Sequence, residues 1–108
     1  MASLPRVAVT GIGLITPLGT SPREILQRIR QGESAARPPK VSDVQALPCP
    51  ALADIPDFDP AAYDLDVKTL RIMSRDAVFA ASAARLAVRD AQLIIGREYQ
   101  PREVALFG

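Results

Sequence analysis

The 108-residue sequence predicts an α/β fold that is incomplete within itself. Three observations carry this: a short β-branched run at Val7–Val9 that breaks into glycines, an alanine-rich helical segment near residues 71–94, and a second apolar run from Val104 to Phe107. Neither apolar run alternates, so each reads as a strand covered on both faces, as in a parallel sheet. Two such strands with a long excursion between them do not close a covered sheet. The chain therefore reads as the beginning of a larger α/β unit.

The first strand gives way to Thr10-Gly11-Ile12-Gly13-Leu14-Ile15-Thr16-Pro17-Leu18-Gly19. Glycines here supply permissive backbone and close approach, so Gly11, Gly13, Pro17 and Gly19 are assigned to a structural turn. A dinucleotide fingerprint is the competing reading. Thr16 stands where the third Gly/Ala belongs, Pro17 falls where the phosphate-binding helix should be propagating, and about twenty residues on there is no strand ending in an acidic ribose ligand. A P-loop is excluded too, because no Lys-Ser/Thr pair follows the glycines.

A helix is expected from Ser21, with Ser21 as N-cap, Pro22 in the first position and Glu24 closing a capping box. Ile25, Leu26 and Ile29 form its apolar stripe, Arg23, Arg28 and Arg30 its solvated face, and Gly32 its stop after about Gln31. From Ser34 to Asp66 six prolines leave room only for short strands near Val41–Val44 and Ala51–Ile55. That excursion needs another surface to lie on.

The segment RIMSRDAVFAASAARLAVRDAQLI is the clearest helix, capped by Ser74, with Asp76 in its first turn and an end near Gln92. Ala77, Ala80, Ala81, Ala84, Ala87 and Ala91 keep the side chains small, which allows another element to approach closely. A loop through Gly96 to Pro101 then leads to the second strand. No internal repeat is present.

Composition narrows the chemistry. The formal charge is +1, aromatic residues make up 5%, and no dense Lys/Arg run occurs, so nucleic acid is not the expected partner. Histidine is absent, which excludes a Cys-His or Ser-His-Asp arrangement built from these residues alone. Cys49 is the single cysteine, so there is no internal disulfide and no Cys-rich metal site. It lies between prolines with no helix N-terminus to lower its thiol pKa. No catalytic residue, metal or cofactor is assigned. The apolar runs are too short to cross a bilayer, and a soluble, cytoplasmic protein with no membrane insertion is the expectation.

In order, TGIGLITPLG, a capped helix ending in RQGES, and RIMSRDAVFAASAARLAVRDAQL resemble the N-terminal part of the beta-ketoacyl-[acyl-carrier-protein] synthases, the condensing enzymes of fatty-acid and polyketide assembly. Thr10, Gly11, Gly13, Thr16, Pro17 and Gly19 match the family's first strand and turn. Gly32 and Ser34 match the end of its first helix, and Arg71, Met73, Asp76, Ala77 and Phe79 its later helix. At Ile25 the family often places tryptophan. The resemblance covers nearly all of this chain but only about the first quarter of a condensing enzyme.

What the resemblance implies is a thiolase-like layered α/β/α/β/α fold, assembled as a dimer or heteromer, of which residues 1–108 are an N-terminal portion completed by other polypeptide. It implies a decarboxylative condensation in which a cysteine takes an acyl chain from carrier-protein phosphopantetheine and a malonyl-type extender attacks the thioester. The nucleophile and histidines of that reaction fall beyond the matched region, so Cys49 is not the nucleophile. Lys68 and Arg71, extended by Arg75, resemble the basic patch that docks the acidic acyl carrier protein; Ile72 departs from it, since some relatives are basic there. Asp64 and Asp66 leave open a plain ion-paired rim. Two other readings also stay open: a noncatalytic accessory or chain-length-type subunit, and a small independent α/β ligand-binding domain.

Overall fold

A computed structural model describes residues 3–38, 48 and 51–107. Ser21 opens the first helix, α1 (Pro22–Arg30), its Oγ accepting from the Glu24 N–H at 3.5 Å, with Pro22 at the first position as expected. Gly32, at φ +74°, closes it. A 3₁₀ turn (Pro60–Tyr63) and a one-turn helix α2 (Val67–Leu70) precede the 16-residue α3 (Arg75–Asp90). Ser74 caps α3 through the Ala77 N–H, and Gln92, in the left-handed region at φ 56°, ends it. A second 3₁₀ turn covers Pro101–Glu103.

The expected α/β class and its thiolase-like α/β/α/β/α layering are overturned: among the described residues there is no strand and no sheet, only helices, turns and three isolated bridges. Val7–Val9 and Val104–Phe107 run without a ladder, and their side chains stand open, Val7 at 93% and Phe107 at 92% exposure. The physical reason is that apolar, β-branched sequence states only a readiness to pair; a strand forms when a neighbour takes up its N–H and C=O groups. The expected strand at Ala51–Ile55 reduces to one antiparallel bridge, Leu52 with Arg37, at 2.8 and 2.9 Å. The Val41–Val44 expectation and Cys49 lie outside the described residues.

Little of the surface is closed. Ile25 and Ser82 are the buried side chains among the described residues. The accessible surface is 9199 Å², against about 5,800 Å² for a compact monomer of this mass. The radius of gyration is 17.7 Å, where a compact domain of this length has about 13 Å. Among the described residues no helix is long and apolar enough to cross a membrane.

What order there is centres on α3. The glycine segment crosses its alanine face so closely that a Cβ on Gly13 would lie 2.5 Å from the Ala87 nitrogen and collide with the Ala83 carbonyl oxygen. One on Gly11 would lie 2.6 Å from the Ala91 nitrogen. The Ile12 N–H donates to Asp90 Oδ2 at 2.9 Å and locks the crossing at the far end of the helix.

Candidate docking surface

The glycine turn spends its polar groups on itself. Thr16 and Gly19 exchange backbone hydrogen bonds at 3.1 and 3.0 Å, Thr16 Oγ1 donates to the Gly19 carbonyl at 2.8 Å, and the Leu18 N–H donates back to Thr16 Oγ1 at 3.2 Å. Gly19 sits at φ +129°, a conformation that side chains rarely adopt. Pro17 lies at the tip of this turn. Gly11 and Gly13 serve the helix crossing.

Beside the turn lies an open cleft of about 500 Å³, lined by Thr16, Arg37, Asp57, Phe58 and Tyr63 among others. Its polar groups are of mixed sign and some are engaged: Arg28 donates to the Leu18 carbonyl at 3.1 Å and pairs with Glu33 at 3.7 Å, and Asp59 accepts from the Ala61 N–H at 2.9 Å. Among the described residues no group of His, Cys, Asp or Glu could hold a metal ion.

The basic residues before α3 present a different picture. Asp66 caps α2, accepting from the Thr69 N–H at 3.3 Å and the Thr69 hydroxyl at 3.0 Å. Lys68 stands in the middle of α2, and Arg71 follows as its C-cap in helical conformation. Both are exposed. The helical path runs on for another turn, with the Ile72 N–H donating to the Thr69 carbonyl at 3.2 Å. Lys68, Arg71 and Ile72, three and four residues apart, therefore share one face.

The neighbouring acids form no ion pair with Lys68 or Arg71 among the described residues. Asp64 turns toward α3, its carboxylate paired with Arg89 at 3.1 Å and its carbonyl accepting from Arg85 at 3.5 Å. Asp66 is committed to its cap. Among the described residues the ion pairs are Arg28–Glu33 and Arg89–Asp64, and neither includes Lys68 or Arg71.

Arg75 is placed otherwise. Its guanidinium donates to the Ile55 carbonyl and lies 5.0 Å from the centroid of the Phe79 ring. Phe79 meets Phe58 edge-on at 4.9 Å, and Phe58 stacks on Tyr63 at 5.2 Å. Arg75 thereby ties the 55–63 segment to the start of α3. The sequence reading missed this cluster and the two short helices before it; Asp59-Pro60 and Asp66-x-x-Thr69 are the capping signals that mark those helices.

The family model for the N-terminal domain of beta-ketoacyl synthases matches residues 5–107. The chain belongs to that family. It is 35% identical over 97 residues to 3-oxoacyl-[acyl-carrier-protein] synthase 2 of Coxiella burnetii, covering 90% of the chain and 23% of the relative. It is 38% identical over 103 residues to a putative polyketide beta-ketoacyl synthase 1 of Streptomyces halstedii, covering 95% and 24%. Nodulation protein E of a Rhizobium species is 38% identical over 88 residues, covering 82% and 21%. The chain thus spans less than a quarter of the length of these curated relatives. No solved structure matches it.

Proposed function

We propose that residues 1–108 form the N-terminal portion of a beta-ketoacyl synthase that condenses an acyl thioester with a malonyl-type extender, with the nucleophilic cysteine and the histidines supplied by polypeptide outside these residues. The observation that carries this reading is the family match across residues 5–107 in a sequence without a histidine. The open apolar runs at both ends of the described structure support completion by further polypeptide, since apolar surface of that extent is stable only when covered. Activity is expected of the completed assembly, dimeric or heteromeric, and not of these residues alone.

Lys68 and Arg71 are the groups that meet the acidic carrier protein and the phosphate of its pantetheine arm. Two cations on one face, without an ion-pair partner among the described residues, steer an acidic partner through long-range attraction that salt screens. Arg75, whose guanidinium is already engaged, takes the smaller share at the edge of the patch. In the intact protein, replacing Lys68 and Arg71 together by Ala is expected to raise the carrier-protein Kd about tenfold at low salt, with the difference shrinking at high salt. Titration at two ionic strengths checks this, and an unchanged Kd at low salt removes the assignment.

A second prediction separates Cys49 from the chemistry. Cys49→Ala is expected to leave the condensation rate of the assembly essentially intact, and mass spectrometry of the acylated protein is expected to find the acyl group on a cysteine outside residues 1–108. Acylation of Cys49 itself, with loss of activity in a folded Cys49→Ala protein, would refute the reading.

A further inference from the structure

We draw no further inference here: the strongest candidate, the open cleft between the glycine turn and the 54–63 segment, is lined by Arg28, Arg37, Asp54, Asp57 and Asp59 as exposed side chains of mixed sign, and nothing in the structure shows what covers it.

Discussion

Gly13→Ala is expected to destabilise the intact protein by about 3 kcal/mol or more, the upper range for forcing atoms into a closed contact. The added methyl would meet the Ala83 carbonyl and stand 2.5 Å from the Ala87 nitrogen, and both are helix backbone. A flexible side chain could swing aside; a hydrogen-bonded helical turn cannot. Relief would require the glycine segment to lift off α3, and with it the Ile12 N–H would leave Asp90 Oδ2. Gly19→Ala isolates the other reason for glycine. Nothing lies within 4 Å of a Cβ there, but the residue holds φ +129°, so the cost is backbone strain alone, on the order of 1–3 kcal/mol. Denaturant midpoints of the two variants should therefore rank Gly13→Ala below Gly19→Ala. An unperturbed Gly13→Ala protein would mean that the segment does not cross α3 at this distance.

That crossing shows which parts of the fold are written locally. α1 and α3 were legible because their signals lie within a few residues: Ser21-Pro22 and Ser74 cap, Gly32 stops, and the alanine face announces a close neighbour. The neighbour's identity was not legible. Gly11 and Gly13 read as turn glycines, and only the structure sets them against residues 83–91, in α3 and at its C-cap, seventy or more positions away. The strands failed for the complementary reason. Val7–Val9 and Val104–Phe107 have suitable composition, but pairing is a property of two segments, and here neither finds the other.

The site divides along the same line. That Lys68, Arg71 and Arg75 are basic and near one another was plain in the sequence; how each is spent was not. Asp64 and Asp66 stood close enough in the chain to pair with the patch, yet Arg89, 25 residues on from Asp64, pairs with the first, and the second accepts hydrogen bonds within the cap of α2. Arg75, four residues from Arg71, faces Phe79 and the Ile55 carbonyl instead. Local spacing placed the charges, and long-range partners decided which of them remain available.

Phe58→Ala is expected to cost about 2–3 kcal/mol, below the range for a fully buried phenylalanine because the ring is half-buried. Its importance comes from position: it stacks on Tyr63 and meets Phe79 edge-on, so one ring joins the 3₁₀ turn at Pro60–Tyr63 to the second turn of α3. Arg75 supports the same junction by a second route, with its guanidinium beside Phe79 and its donated hydrogen bond to Ile55. Arg75→Lys keeps the charge but loses the planar guanidinium, so it should behave as a milder Phe58→Ala. Because α2 and its cationic face hang between this junction and Ser74, loosening it should speed proteolysis within residues 52–66 and weaken carrier-protein binding at low and high salt alike. The Lys68→Ala/Arg71→Ala protein should instead keep its melting temperature and resist the protease, losing affinity chiefly at low salt. Equal protease resistance in Phe58→Ala and the parent would show that the aromatic cluster does not hold the segment that carries Lys68 and Arg71.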